Sequence, residues 1–292
     1  MTEGQSSSSA NIQLRPLTLK DMPLAMELKT IAGWNQLPSD WEFLINTGGG
    51  GNFVATCNGK EAGTATTITY QDRFSWIGMV LVDPAFRGKG VGTVLLNEAI
   101  AYARQKGTVR LDATPQGEKL YKTMGFVAER NLMRYERLEQ PGPLPELSQQ
   151  CSPVTERIMN EIIDADTPIF GADRGSVLQY LHNISPEYAY YLKKGGRITG
   201  YCFGRSGSNF EQIGPVIAEN TDDAKDLLST ALASCSGKRV IMDVFTENIQ
   251  WLDFIGSLGF KTQRPYVRMY LGDLKHPGNT VPQYAIAGAE LG

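Results

Sequence analysis

A strand, a glycine-rich loop and a helix follow one another directly between residues 76 and 106. An apolar, β-branched run stops at Asp83 and Pro84, and apolar residues then recur with helical spacing over residues 91–106. Between the two stand three glycines, Gly88, Gly90 and Gly92. This order directs backbone N–H groups and the positive end of a helix dipole at one point, which forms a nest for a phosphate or pyrophosphate. Glycine suits such a loop because a Cβ would block the close approach of the anion.

Two familiar phosphate-binding loops do not match this spacing. A P-loop requires Lys-Ser or Lys-Thr after its last glycine, whereas Val91 follows Gly90 and Thr93 follows Gly92. The dinucleotide fingerprint Gly-x-Gly-x-x-Gly also differs, because the glycines here fall on every second residue. The simpler alternative is a glycine-rich turn that caps an ordinary helix.

The segment of residues 87–92, Arg-Gly-Lys-Gly-Val-Gly, resembles the acetyl-CoA loop of the GCN5-related N-acetyltransferase (GNAT) superfamily, whose motif is Arg/Gln-x-x-Gly-x-Gly/Ala. The resemblance implies that acetyl-CoA is the co-substrate. It also implies that the loop holds the pyrophosphate and that the backbone of the preceding strand holds the pantetheine arm. The cofactor-binding residues implied in this way are Val80, Val82, Arg87, Gly88, Lys89, Gly90, Val91, Gly92 and Thr93.

The first half of the chain reads as β-α-α-β-β-β-α-β-α-β, the order that the resemblance implies. The dipeptide Asn58-Gly59 predicts a tight hairpin turn. The predicted strands are residues 12–16, 52–57, 62–70, 77–82 and 109–112, with further strand after residue 126, and the predicted helices are residues 20–30, 40–47, 91–106 and 117–124.

Three short segments of the first half recur in the same order in the second half. The matching pairs are residues 77–82 with 213–218, 109–112 with 240–243, and 124–126 with 258–260; each member of the last pair is followed, after seven intervening residues, by an arginine, Arg134 or Arg268. The order predicts a duplicated domain, the alternative being chance similarity of generic strands. The expected fold class is α/β (α+β), with two tandem GNAT-like domains. Each would be a mixed, mostly antiparallel twisted sheet flanked by helices.

The domain organisation follows from this duplication. We expect a disordered tail (1–10), a catalytic acetyl-CoA-binding domain (11–138), a proline-rich linker (139–149), a degenerate GNAT-like domain (150–272) and a C-terminal arm that packs back (273–292). The second domain is expected to have lost its cofactor site, because residues 219–226 hold three aspartates and neither glycine nor arginine.

A tyrosine is the expected catalytic acid. Residues 120–126 resemble the family motif Leu-Tyr-x-x-x-Gly-Phe, which implies that Tyr121 protonates the departing thiolate of CoA. Packing of its ring on the helix face is the alternative. The matching residue of the second half is Ile255.

The general base is not evident. Many family members carry a glutamate on the strand before the loop, where this chain has Trp76. Either a chain of water molecules removes the proton, or a carboxylate such as Asp112 or Asp243 does so; each of these could equally cap the following turn. The asparagine that the family often has after the next strand is Thr114 here.

The expected substrate residues lie between the first two helices. Trp34, Asn35 and Trp41 occupy a short segment that could form an aromatic wall for a cationic amine. Packing between the helices is the competing interpretation.

Composition limits the partners. With 28 Lys+Arg against 31 Asp+Glu, the chain offers no basic surface for nucleic acid. No apolar run has the length of a membrane span, and the serine-rich start lacks the apolar core of a signal peptide. Four scattered cysteines and two histidines disfavour a metal site. We therefore expect a cytoplasmic monomer or homodimer without metal.

The expected function is acetyl-CoA-dependent N-acetylation of a small-molecule primary amine. Two alternatives stay open from the residues alone. One is a non-catalytic protein that senses acetyl-CoA, and the other is an acyltransferase that acts on a protein or peptide amine.

Overall fold

The computed structural model describes residues 10–138, 148–235 and 237–292. The first half contains β1 (Ile12–Pro16), α1 (Met22–Ile31), α2 (Pro38–Thr47), β2 (Phe53–Cys57), β3 (Lys60–Tyr70), β4 (Phe74–Val82), α3 (Val91–Arg104), β5 (Thr108–Ala113), α4 (Pro115–Thr123) and β6 (Val127–Arg137). The predicted order of elements is confirmed. The hairpin turn is confirmed as well, because Asn58 and Gly59 both have positive φ, at 53° and 77°.

The second half repeats the pattern. It contains β7 (Ser152–Pro153), α5 (Glu156–Phe170), α6 (Gly175–Ile184), β8 (Tyr190–Lys194), β9 (Arg197–Arg205), β10 (Glu211–Ala218), α7 (Thr221–Ala233), β11 (Val240–Phe245), α8 (Ile249–Ser257), β12 (Lys261–Leu271) and β13 (Gln283–Ala285). The expected tail and the proline-rich linker lie outside the described residues, except for residue 10 and residues 148–149.

All the described strands join in one sheet, in the order β1-β2-β3-β4-β5-β12-β6-β11-β13-β10-β9-β8-β7. The predicted fold class is confirmed, with an addition: the two halves exchange their long strands. β12 of the second half lies between β5 and β6, and β6 of the first half lies between β12 and β11. The sheet of the first half is therefore completed by the second.

The strands next to the exchange separate from their parallel neighbours. β4 pairs with β5 only from Phe74 opposite Thr108 to Trp76 opposite Arg110, and then diverges. β10 and β11 share two rungs only, and β13 occupies the gap between them. The same opening thus forms in both halves, but the chain itself fills the second one.

One core is shared by both halves. Helices α1, α2, α5 and α6 cover one face of the sheet around a cluster in which Trp41 and Trp76 pack with Phe170 and Tyr201. On the opposite face, α3 packs on the first half through Leu95 and Ala99, and α7 packs on the second. Among the described residues no helix is both long and apolar enough to cross a membrane.

Candidate active site

Two residues of the glycine loop have a left-handed backbone conformation. β4 ends at Val82, a short 3-10 turn follows, and α3 begins directly after Gly90. Gly88 and Gly90 have φ of 75° and 87°, a conformation that side chains with a Cβ rarely adopt. The first N–H groups of α3 have no partner within the helix, because a helix leaves its first turn unpaired. The loop therefore presents backbone donors at the positive end of the helix dipole.

A cleft of about 1020 Å³ runs along this loop. It lies where β4 and β5 diverge. Of the predicted cofactor-binding residues, the cleft is lined by Val80, Val82, Arg87, Gly88, Gly90, Val91, Gly92 and Thr93. The exception is Lys89, whose ammonium lies 5.2 Å from the ring centroid of Phe86.

A β-bulge distorts β4 beside the cleft. The register with β3 shifts between Thr64 opposite Leu81 and Thr66 opposite Gly78, so that two residues of β4 face one of β3. Met79 in the bulge has a φ of 48°, and its carbonyl accepts a hydrogen bond from the Thr64 hydroxyl at 3.1 Å. The bulge re-aims the backbone of β4 at the point where the strand loses its neighbour.

Tyr121 lies on the opposite side of the cleft, on α4. Thr114 caps this helix, its Oγ1 accepting a hydrogen bond from the N–H of Gly117. The Tyr121 ring packs over Gly117, where a Cβ would lie 2.9 Å from the ring, and its centroid lies 5.8 Å from that of Phe126. Burial raises the pKa of Tyr121 to about 12. The phenol therefore stays protonated at neutral pH, as a general acid must be. The ring also packs on the helix face, which is the alternative role considered for this residue.

Of the three predicted substrate residues, two line the cleft. Trp34 is half-buried there, and Asn35 lines it too. The Asn35 amide, however, is used in the fold: it donates to the carbonyl of Phe210 and accepts from the N–H groups of Asn209 and Phe210. Trp41 is fully buried in the core. The structure does not bring Trp41 to the cleft, and for this residue helix packing is the correct interpretation.

The two aspartates considered as bases are engaged in ion pairs. Asp112 accepts two hydrogen bonds from Arg268, both at 2.9 Å, and Asp243 accepts two from Arg134, both at 2.7 Å. Burial raises the pKa of Asp112, and Arg268 opposes that change. Among the described residues, neither aspartate side chain accepts a hydrogen bond from the turn that follows it. The two ion pairs are equivalent, since each joins an aspartate of one half to an arginine of the other. We therefore regard both pairs as part of the strand exchange.

Sequence reasoning missed several residues of the cleft. The far end is lined by Gln36 and by residues that the second half contributes: Arg264, Tyr266, Ala289 and Glu290. The arm that follows β13 delivers the last two of these, and the indole N–H of Trp76 donates to the carbonyl of Ala289 at 2.9 Å. One signal in the sequence could have identified Glu290: it is the single acidic residue in the apolar run of residues 281–292.

In the second half the equivalent opening is closed. β13 pairs with β10 through Ala285 and Gln283, and with β11 through Ala285. The turn into α7 has no glycine, and Asn220 caps that helix by accepting from the N–H of Asp223. A strand of the chain thus lies where a cofactor arm would lie in the first half. Over the part of the chain that the structure describes, no cluster of three metal-ligating side chains occurs.

Comparison with known proteins agrees with this architecture. Residues 21–126 match the acetyltransferase (GNAT) family, and residues 162–285 match the acetyltransferase (GNAT) domain. Holothin acyltransferase of Pseudoalteromonas sp. (strain SANK 73390) is 27% identical over 95% of this chain and 94% of that protein. A Pyrococcus horikoshii protein thought to be an acetyltransferase has a crystal structure that superposes with a TM-score of 0.82 at 24% identity, over 100% of this chain and 99% of that chain.

A tandem GNAT protein from the clavulanic acid biosynthesis pathway superposes with a TM-score of 0.62 at 13% identity, over 89% of this chain and 98% of that chain. At such identities the two solved structures establish the fold alone. The chain belongs to the GNAT superfamily, as a tandem member with an intact first half and a degenerate second half. It is an acyltransferase, and proteins of this fold use acetyl-CoA as co-substrate.

Proposed function

We propose that this enzyme transfers an acetyl group from acetyl-CoA to a small-molecule primary amine. The observation that carries the proposal is a single cleft with three parts: a glycine loop that favours an anion, an unpaired strand edge beside it, and Tyr121 opposite. In this proposal the catalytic half comprises residues 11–138, and residues 150–272 with the following arm supply one wall.

The loop and β4 are proposed to hold the co-substrate. The N–H groups of Gly88, Gly90, Gly92 and Thr93 would bind the pyrophosphate, and the guanidinium of Arg87 would add charge. Beyond Trp76, β4 has no pairing with β5 within the described residues, so its backbone at Val80 and Val82 is available to the pantetheine amides. A backbone N–H near the bulge would stabilise the negative charge that develops on the thioester oxygen.

The chemistry requires three proton transfers. The protonated amine first loses a proton to water, and its nitrogen then attacks the thioester carbonyl carbon. As the C–N bond forms and the C–S bond breaks, the departing sulfur takes the proton of the Tyr121 hydroxyl. The second proton of the nitrogen returns to Tyr121 through water. One proton is released for each protonated amine that is acetylated.

A small acceptor fits the shape of the cleft. The end of the cleft beside the second half is lined by Arg264 and Tyr266 of β12 and by Glu290 of the arm. A protein substrate would need an open groove at this end, because a polypeptide must enter and leave the site. Arg264 forms no ion pair among the described residues, so amino acids that carry a carboxylate belong in the substrate panel.

Transfer of a larger acyl group is a second candidate for the same site. It is favoured by the name of one relative, holothin acyltransferase, which specifies acyl rather than acetyl transfer. Acyl-CoA donors of increasing chain length separate the two candidates, because acetyl transfer predicts the highest kcat/KM with the two-carbon donor.

The proposal is tested by thiol release from acetyl-CoA. The amine panel comprises holothin, benzylamine, aniline, putrescine, an aminoglycoside, several amino acids and a lysine peptide. The expected result is turnover with at least one small amine and none with the peptide. Turnover of the peptide alone would contradict the small-molecule assignment, and no turnover with any amine, despite tight binding of acetyl-CoA, would overturn the proposed reaction.

A further inference from the structure

Glu290 lines the cleft beside β4, the strand on which this chain has Trp76 where many family members have a glutamate. The arm passes at contact distance over β4: a Cβ built on Gly78 would lie 2.9 Å from the Cβ and 3.0 Å from the Cα of Glu290. Gly78 is two residues beyond Trp76 and directly precedes the bulge at Met79. Glycine is required at this position because the arm leaves no room for a side chain. The arm thus brings a carboxylate close to the bulge, in the same cleft as Tyr121.

This carboxylate is ionised and only partly paired. Glu290 is 5% exposed, and its Oε1 accepts hydrogen bonds from Arg205 and, at 2.7 Å, from the Gln36 amide. Burial opposes ionisation, but Arg205 and Gln36 outweigh burial and hold the pKa of Glu290 below its usual value. Arg205 also pairs with Asp40 at 2.6 Å, so that one guanidinium serves two carboxylates. Lys29, the other cation near Asp40, donates to the hydroxyl of Ser208.

Among the described residues, one acceptor atom is left without a donor at this place, and a second has none from another residue. The Oε2 of Glu290 accepts no hydrogen bond from another described residue. The Oε1 of Gln36 is buried and has no partner either, and Gln36 is only 6% exposed while lining the cleft. Buried polar atoms are normally hydrogen-bonded, so an unpaired acceptor on a residue that lines a cleft calls for a donor from a ligand.

A protonated amine supplies such a donor, because it carries three N–H groups, and its positive charge suits the carboxylate of Glu290. Trp34 lines the same cleft and offers an aromatic ring to a cation. We propose that Glu290 and Gln36 form the subsite that binds the ammonium group of the acceptor substrate, an inference that rests on the proposed function. The second half would thereby supply the group that selects the substrate.

Steady-state kinetics of Glu290→Gln test this subsite. The probes are the panel amine with the highest turnover and aniline, which is uncharged at pH 7.5. For the charged amine, KM should rise at least about tenfold, because a buried charge loses its counter-ion. The KM for acetyl-CoA should not change, and for aniline kcat/KM should change less than about threefold. A loss of folded enzyme would instead lower kcat equally for both amines and leave the KM values unchanged.

Two further variants guard against a purely structural effect. Gln36→Met removes the unpaired acceptor and leaves the pair between Arg205 and Glu290, and it should also raise KM for the charged amine. Glu129→Gln is the matched control, because Glu129 forms an ion pair with the buried Arg110 at 2.6 Å and neither residue lines the cleft. Its KM values should equal those of the wild type.

The outcomes separate the two proposals. If a charged amine is turned over and its KM is the same in wild type, Glu290→Gln and Gln36→Met, the subsite is overturned and the acetyltransferase proposal stands. If the wild type turns over no amine, the proposed function is wrong, and the subsite proposal, which rests on it, is wrong as well.

Discussion

Arg268 on β12 donates two hydrogen bonds to Asp112 on β5, from the other half of the chain, and both groups are almost fully buried. Arg134 and Asp243 repeat the pair with the halves interchanged. Each half of the duplicated sequence thus contributes one arginine and one aspartate. Because the long strands are exchanged, each arginine pairs with the aspartate of the other half. Each ion pair fixes a strand of one half in the sheet of the other.

The first half should not fold alone. Residues 10–138 lack β12, so β5 and β6 would have no strand between them and the shared core would be open. We expect no cooperative thermal transition by circular dichroism for this fragment. Co-expression with residues 148–292 should restore one transition and acetyl-CoA binding. A monomeric fragment with a sharp transition of its own would contradict the strand exchange.

The aspartates of the two pairs should behave alike. Asp112→Asn and Asp243→Asn each leave a buried arginine without its counter-ion, and each should lower the free energy of unfolding in urea by about 3 kcal/mol. Because we assign a structural role to both, the two variants should have similar kcat. A kcat at least about a hundredfold lower in Asp112→Asn alone would identify Asp112 as the missing base.

A side chain at Gly90 should abolish co-substrate binding. Gly90→Glu introduces strain at a φ of 87° and a carboxylate where the pyrophosphate is expected. The Kd for acetyl-CoA, measured by calorimetry, should rise at least about a hundredfold, which corresponds to a few kcal/mol of repulsion. Gly259→Glu is the matched control, since Gly259 also has positive φ, at 85°, in open space outside the cleft. Unchanged binding in Gly90→Glu would place the pyrophosphate elsewhere.

Tyr121→Phe should lower kcat by about a hundredfold, as expected when a general acid is removed, with little change in the Kd for acetyl-CoA. The pH dependence gives a second readout. Burial disfavours the phenolate, so the acid form persists until the pH approaches the raised pKa of about 12. Between pH 9 and about pH 11 the wild type should therefore show no loss of kcat that is absent from the variant. An alkaline loss centred near pH 10 in the wild type alone would contradict the raised pKa.

Hydrogen exchange should respond to the co-substrate in one half only. In the first half, the edge of β4 that faces β5 has no strand partner beyond Trp76 among the described residues, and acetyl-CoA is proposed to pair with it. In the second half, β10 already pairs with β13 at Val216 and Ile217. Addition of acetyl-CoA should slow exchange in β4 and leave β10 unchanged, as measured by mass spectrometry of peptides. Equal protection of both strands would indicate a second binding site.

The local elements and the glycine loop could be predicted from the sequence because their signals are local. Asn58-Gly59 specifies its turn through two adjacent positive φ values, and the loop requires glycine where φ is positive. Trp34 and Trp41 show the limit of this reasoning: they lie seven positions apart, and tertiary packing alone decides that one lines the cleft and the other enters the core.

The exchange of β6 and β12 could not be predicted. Residues 127–137 and 261–271 have the patterns of ordinary strands, and such patterns do not specify the half in which each strand pairs. Glu290 was missed for a related reason. Glu290 reaches the cleft only because β13 fills the opening of the second half. The pairing of β13 with β10 and β11 is a contact between segments far apart in the sequence.

The strand exchange also constrains the order of events during synthesis. When β6 leaves the ribosome, the position between β5 and β6 has no occupant, and none exists until α8 and β12 have been made. The first half must therefore wait, with two strand edges and part of the core exposed, for the end of translation. Contacts between such distant segments slow folding and prolong exposure to aggregation. We expect a nascent chain of this kind to need protection from aggregation until β12 has entered the sheet.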